Sequence, residues 1–158
     1  MELPYYISWA KQKNAKTFEI YKVDGVNLWC ENNHHIIDLS SISYQAHFGH
    51  NHPQIIKALK DQLDTIPMSS PKGAYPNKKE NTDKLLKYLN LDRGKIFYTT
   101  GGAETIENAL KIARHISKKK IVLARSNSYH GATMGALAVT GDWRNPPHQL
   151  PREWVIRI

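Results

Sequence analysis

The first forty residues are patterned for strands. Residues 18–27 and 28–39 are short apolar-rich runs, interrupted by the turn-forming pairs Asp24-Gly25 and Asn32-Asn33. This arrangement predicts a hairpin or meander. The period then changes. After the polar turn Phe48-Gly49-His50-Asn51-His52-Pro53, the residues Ile55, Ile56, Leu59 and Leu63 recur at helical spacing. Pro53 suits the first position of that helix, which should end before Pro67. Residues 68–77 hold Pro71, Gly73 and Pro76 and read as a loop. Residues 80–89 predict a second helix, with Leu85, Leu86 and Leu89 inward.

The densest signal follows. A short apolar run at 95–98 stops at Thr99-Thr100-Gly101-Gly102, and a helical pattern begins at once: Ala103, Ile106, Ala109, Leu110, Ala113 and Ile116 share one face. Glu104 and Glu107 lie near its start, and Arg114, His115 and Lys118-Lys119-Lys120 at its end, so the charges complement the helix dipole. A strand, a glycine turn and a helix start bring free N–H groups and the positive end of the dipole to one point, which favours a phosphate or another anion. The same pattern also serves as a plain tight βα connection.

Residues 120–124 form another apolar run, and with 95–99 they predict a βαβ unit and hence a parallel sheet. The polar loop Asn127-Ser128-Tyr129-His130-Gly131 follows, then a small-residue helix over 132–139. Ligands of open α/β sheets collect beyond the carboxyl ends of strands, so the 100–102 turn and the 129–131 loop should flank one pocket. Residues 154–158 look like a strand with no cap or tail after it, which predicts a chain cut within a domain.

Composition narrows the classes. The chain has 158 residues, 41% apolar and 23% charged, which suits a soluble globular core. Its +8 formal charge raises nucleic acid as a partner. The lysines are scattered, however, apart from Lys78-Lys79 and 118–120, and no aromatics interleave for base stacking, so no nucleic-acid partner is expected. One cysteine, Cys30, excludes an internal disulfide. No run reaches membrane-spanning length and Met1-Glu2-Leu3-Pro4 carries no secretory signal. The expectation is a cytoplasmic protein with no membrane partner. His47-x-x-His50-x-His52 lacks a partnering cysteine pair, so no metal site is expected. Neither Gly-x-x-x-x-Gly-Lys-Ser/Thr nor Gly-x-Gly-x-x-Gly is present to support nucleotide binding.

The order Gly49-His50-Asn51-His52-Pro53, Thr100-Gly101-Gly102-Ala103-Glu104, Glu107-Asn108-Ala109, Tyr129-His130-Gly131-Ala132-Thr133-Met134 and Thr140-Gly141 resembles class III, or ω-, aminotransferases. The resemblance covers nearly the whole chain. It implies an α/β fold of the pyridoxal-phosphate-dependent, aspartate aminotransferase-like type (fold type I), present here as an N-terminal portion. Residues 1–52 would be the start of a small domain and 53–158 an incomplete cofactor-binding large domain. The implied cofactor is pyridoxal 5'-phosphate, with Thr100, Gly101, Gly102 and Ala103 around its phosphate and Tyr129 stacked on its ring, His130 beside it. Tyr75 and the stretch 42–44, with Ser43, correspond to the substrate pocket.

The implied reaction moves an amino group from an ω-amino compound (4-aminobutyrate, β-alanine or taurine-like) to a keto acid, in a homodimer. Ala132 stands where members that bind an α-carboxylate carry arginine, which is compatible with an ω-amine donor. Thr105 and Ile106 depart from the family's usual Ala-Asn and should alter helix packing only. The lysine that holds the cofactor covalently and the aspartate facing its ring nitrogen lie, in the family, beyond residue 158. No catalytic residue is therefore assigned within this chain, which alone should be inactive. The alternative is a non-catalytic fragment or a partner-dependent interaction module.

Overall fold

A computed structural model describes residues 3–148 and 151–158. The chain divides into two compact units, residues 1–74 and 75–158.

The first unit is built on an antiparallel meander: β1 (Ile20–Asp24), β2 (Asn27–Cys30) and β3 (His35–Ile37), with β2 in the centre. The turn residues behave as the pattern requires. Gly25, Asn32 and Asn33 all take positive φ, which glycine and asparagine accept most readily. The inward positions of β2, Leu28 and Cys30, are the buried apolar residues of this unit. The polar turn before Pro53 is tied back to the meander. Gly25 and His50 exchange backbone hydrogen bonds, and the Asn51 side chain donates to the Val23 carbonyl at 2.7 Å. Gly49 has φ +81, and a Cβ there would lie 3.1 Å from the Gly25 carbonyl oxygen. Helix α1 (Pro53–Thr65) starts at Pro53 as expected. Its stripe is amphipathic, yet Ile55, Leu59 and Leu63 are exposed.

In the second unit, α2 (Pro76–Tyr88) begins four residues before the pattern suggested, because Pro76 takes the first helical position. Leu85 and Leu89 are exposed, contrary to the inward placement expected of them. Only Leu86 has close cover, at the Gly94 turn, where a Cβ would come within 2.9 Å of its Cδ2. Residues 95–99 do not form a strand. Their pattern was strand-like, but a strand needs a ladder partner and none pairs with them among the described residues. The parallel pairing lies elsewhere: β4 (Val122–Ala124) pairs with β5 (Val155–Arg157), Val122 opposite Val155 and Ala124 opposite Arg157. Between α2 and β4 runs α3 (Gly102–Ser117), and α4 (Met134–Val139) follows β4. The core of this unit is Ala124, Ala136, Leu137, Ala138 and Val139, with buried Thr140 and Asn145. No helix among the described residues is long and apolar enough to cross a membrane.

Candidate active site

The start of α3 is an open amide cup. Gly101 precedes the helix in extended backbone and Gly102 is its first residue. The first N–H groups of any helix lack an intrahelical acceptor. Here the amides of Gly101, Gly102 and Ala103 have no acceptor among the described residues. A Cβ added to Gly101 or Gly102 would meet no atom within 4 Å. Neither glycine has positive φ, so neither backbone strain nor protein packing requires glycine there. What the missing Cβ leaves is open space over three amides, room for an anionic group.

Thr100 is engaged otherwise. Its amide and hydroxyl both donate to the Glu104 carboxylate, at 3.0 and 2.8 Å. The Thr100 hydroxyl and amide together hold the Glu104 carboxyl below the usual carboxylate range. The Thr99 and Thr105 hydroxyls hydrogen-bond each other at 2.6 Å and both lie within reach of the Gly101 carbonyl, at 3.2 and 3.1 Å, so one donates to the carbonyl while the other donates to its partner. The available donors of the cup are the three amides that follow Thr100.

The 129–131 loop packs directly on this cup. Gly131, at φ +136, lies so near Ala103 that a Cβ would come within 2.6 Å of the Ala103 Cβ. The His130 amide donates to the hydroxyl of fully buried Thr140 at 3.0 Å, and that hydroxyl donates onward to the Ala136 carbonyl. Tyr129 is half-exposed, and the Arg144 guanidinium lies 4.6 Å from its ring centroid. Arg144 also covers Trp143 and pairs with Asp142. The turn and the loop are thus neighbours, as their places after apolar runs suggested.

Three polar residues that the hydrophobic pattern did not single out hold this arrangement. Glu107, one turn into α3, accepts from the Thr133 hydroxyl at 2.6 Å and from the amides of Gly135 and Ala136 at 2.8 and 3.1 Å. It caps the start of α4 from another helix. Arg157 of β5 donates to the carbonyls of Ala138, Val139 and Thr140, capping the other end. Asn145 donates to the carbonyls of Leu137 and Ala138 and accepts from Arg152. In sequence Glu107 is a charge near a helix N-terminus and part of the Glu107-Asn108-Ala109 motif, neither of which names α4 as its partner, and residues 154–158 read as a strand with no role marked for Arg157.

Tyr75 is half-buried at the residue before α2, and its carbonyl accepts from Lys79 at 3.0 Å. Ser43, in the other unit, is exposed within an unusual turn at 41–44 where four consecutive residues have positive φ. His50 pairs with Asp38 at 2.9 Å. Among the described residues no group of three or more histidine, cysteine, aspartate or glutamate side chains converges as a metal site.

Known proteins share this architecture. The taurine:2-oxoglutarate aminotransferase of Bifidobacterium kashiwanohense, solved with PLP and glutamate, superposes with a TM-score of 0.89 at 30% identity, covering 97% of this chain and 35% of that one. An S-selective transaminase from Bacillus megaterium shares the fold at a TM-score of 0.85 and 21% identity, over 98% of this chain and 37% of its own. The diaminobutyrate–2-oxoglutarate transaminase of Halalkalibacterium halodurans is 35% identical over 128 residues, 77% of this chain and 30% of that protein. The acetylornithine aminotransferase of Caldanaerobacter subterraneus subsp. tengcongensis is 31% identical over 135 residues, 81% of this chain and 34% of that protein. The chain therefore spans about a third of the length of the curated relatives it matches. The fold is that of the PLP-dependent transferases of fold type I. The family model for class-III aminotransferases matches residues 8–152, which takes in the meander, the amide cup and the loop packed on it, and the chain belongs to that family.

Proposed function

We propose that this chain is the N-terminal part of a pyridoxal-phosphate-dependent aminotransferase that takes an ω-amino compound as donor and a keto acid as acceptor. The observation that carries the proposal is the amide cup of Gly101, Gly102 and Ala103, open above and packed below on Gly131. It fits a phosphate monoester: three N–H donors at a helix start, with no side chain in the way. When bound, pyridoxal phosphate supplies a carbonyl that takes up the amino group and a ring that accepts electrons. The residues here bind and orient it. The cup grips the phosphate, Tyr129 offers an aromatic face to the ring, and His130 forms part of the wall. Thr100 shapes the cup through Glu104. The family resemblance assigns Tyr75, and independently Ser43, to substrate binding. No lysine or aspartate of this chain is given the covalent or ring-nitrogen role.

Ala132 offers no cation for an α-carboxylate, which is compatible with an ω-amino donor such as 4-aminobutyrate, β-alanine or taurine. The complete protein is read as a cytoplasmic homodimer. Large exposed apolar side chains such as Tyr21, Leu59, Phe97 and Leu123 are consistent with further covering surfaces. Residues 1–52 are assigned to the small domain and 53–158 to the cofactor domain, although by packing α1 belongs with the meander.

The test has two arms. Pyridoxal phosphate binding to the protein is followed by equilibrium dialysis with inorganic phosphate as competitor. The full-length gene product is then assayed on a panel of ω-amines with pyruvate or 2-oxoglutarate. Saturable, phosphate-competed binding with transamination of an ω-amine is the expected result. Transamination of α-amino acids alone overturns the donor assignment, and absence of cofactor binding overturns the whole reading.

A further inference from the structure

Tyr129 stands beside the amide cup on a loop whose backbone is tied down on both sides of it. The Gly141 amide donates to the Ser128 carbonyl at 2.8 Å, and the His130 amide to the Thr140 hydroxyl at 3.0 Å. Gly141 comes so close to the start of the loop that a Cβ there would lie 2.4 Å from the carbonyl oxygens of Arg125 and Ser126. Two residues after Tyr129, Gly131 packs against Ala103 of the cup. These contacts place the backbone and leave the ring undetermined. Tyr129 is 47% exposed, and an exposed side chain hops between rotamers unless something packs on it.

Arg144 packs on that ring. Its guanidinium carbon lies 4.6 Å from the Tyr129 ring centroid and 4.6 Å from that of Trp143, within cation–π range of both. Asp142 holds the arginine at two points. The guanidinium donates to one carboxylate oxygen, and the Arg144 amide donates to the other at 3.0 Å. The Arg144 and Asp142 side chains are 25% and 21% exposed, so the pair is mostly covered. The turn that carries them is tied to the core of the unit. The Asn145 amide donates to the Asp142 carbonyl at 3.1 Å, and the buried Asn145 side chain donates to the Leu137 carbonyl. The carboxylate balances the guanidinium charge, so what the pair adds at the ring is position more than net field. All of these residues belong to the second unit, as the cup does.

We infer that Arg144 is a positioning residue for the cofactor: held by Asp142 and set against Trp143, its guanidinium covers one face of the Tyr129 ring and keeps that ring where it stacks on the pyridine ring. This rests on the reading of the cup and Tyr129 as the pyridoxal phosphate site given above. Arg144 is assigned no contact with the cofactor itself. An aromatic ring already held in place gives up less side-chain entropy when a second ring stacks on it. A purely structural role for Arg144 would loosen the grip on the ring and on the phosphate together. A positioning role weakens the grip on the ring and spares that on the phosphate.

The test uses the full-length enzyme freed of cofactor. Pyridoxamine phosphate, which has the same ring and phosphate but no carbonyl to react with a lysine, is titrated by equilibrium dialysis, and inorganic phosphate is measured as its competitor. Arg144→Met should weaken pyridoxamine phosphate binding by about two- to tenfold, the worth of one ring stack, and leave the affinity for inorganic phosphate unchanged. Tyr129→Leu should do the same. Arg144→Met added to Tyr129→Leu should cost nothing further, because the guanidinium then has no ring to hold. If Arg144→Met does not yield folded protein, Asp142→Asn carries the comparison: the asparagine oxygen still accepts from the Arg144 amide, the guanidinium loses its charged partner, and the same ring-selective loss is expected. Equal losses for the two ligands, losses that multiply in the double variant, or unchanged pyridoxamine phosphate binding in a folded Arg144→Met or Asp142→Asn variant overturn the inference and leave the aminotransferase reading standing. A parent enzyme that binds neither pyridoxal phosphate nor pyridoxamine phosphate overturns both.

Discussion

Gly131 sits against Ala103 so closely that the two loops of the candidate site share one surface, with 2.6 Å between the Ala103 Cβ and the position a Gly131 Cβ would take. The φ of +136 at Gly131 is itself a conformation that side chains rarely adopt. Gly131→Ala should therefore destabilise the protein by roughly 2–4 kcal/mol, from overpacking and backbone strain together. It should also weaken pyridoxal phosphate binding, because relief comes from pushing the Tyr129 loop off the cup. Urea denaturation and equilibrium dialysis check the two effects.

Gly102 makes the opposite case. A Cβ there meets nothing in the protein, and the residue does not need glycine's φ range. Gly102→Val should leave folding stability within about 0.5 kcal/mol of the parent, as for other unpartnered surface positions. It should abolish pyridoxal phosphate binding by filling the space above the amides. A variant that melts normally and still binds the cofactor would show that the cup is a plain helix start.

Glu107 ties α3 to α4 through its carboxylate. The Thr133 hydroxyl first, then the Ala136 and Gly135 amides and the Lys111 charge, hold this carboxyl below its ordinary value of 4.5, against the opposing cost of burial. A lowered carboxyl binds fewer protons folded than unfolded, so its contribution is present above the ordinary value and is lost as pH falls through the folded one. The parent should lose denaturation midpoint on titration from pH 6 to below 4.5 more steeply than Glu107→Gln, which has no charge to neutralise. Parallel curves would show that Glu107 takes no part in the acid response. At neutral pH, Glu107→Ala should cost about 1.5–3 kcal/mol, the range for hydrogen bonds to a charged group.

Arg157 caps the carbonyl end of α4 with its planar fork, reaching Ala138, Val139 and Thr140 at once. Burial, with the nearby Arg152 charge, pushes its pKa down from the usual arginine value. A lysine offers one compact charge and cannot span those carbonyls. Arg157→Lys should cost about 1–3 kcal/mol by urea denaturation, and Arg157→Met at least as much, since buried carbonyls lose their donors. Faster amide exchange within 137–141 should accompany the loss.

Much of this was legible in the residues. Asp24-Gly25 and Asn32-Asn33 mark the meander because few residues tolerate the left-handed region there. Pro53 and Pro76 mark helix starts because their missing N–H is no loss at a first position. Pro53 follows a polar turn and signals its helix directly; Pro76 lies in a Pro- and Gly-containing stretch that reads as loop, so the apolar pattern places the second helix four positions late. The inward faces were the less legible part. On α3 the half-buried positions 103, 106, 107, 108, 110 and 114 include a glutamate, an asparagine and an arginine, while Ala109, Ile112, Ala113 and Ile116 are exposed. Arg114 lies over the Trp154 ring at 4.3 Å, a partner forty residues away. The run at 95–99 shows the same limit: a strand is a relation between two segments, and its composition names no partner.

By itself the sequence determined what depends on near neighbours along the chain. That includes the periods of the helices, the turns that need glycine or asparagine, and the glycine-flanked amide cup at the start of α3, since backbone preference and helix-end chemistry act over a few residues. Tertiary structure alone decided what depends on distant ones: that Gly131 closes on Ala103, that Glu107 and Arg157 cap the two ends of α4, that β4 pairs with β5, and that Arg144 covers the Tyr129 ring. Each of these is a close packing contact or a hydrogen bond between segments separated by ten residues or more. Their energy exists only once the chain has brought both partners together.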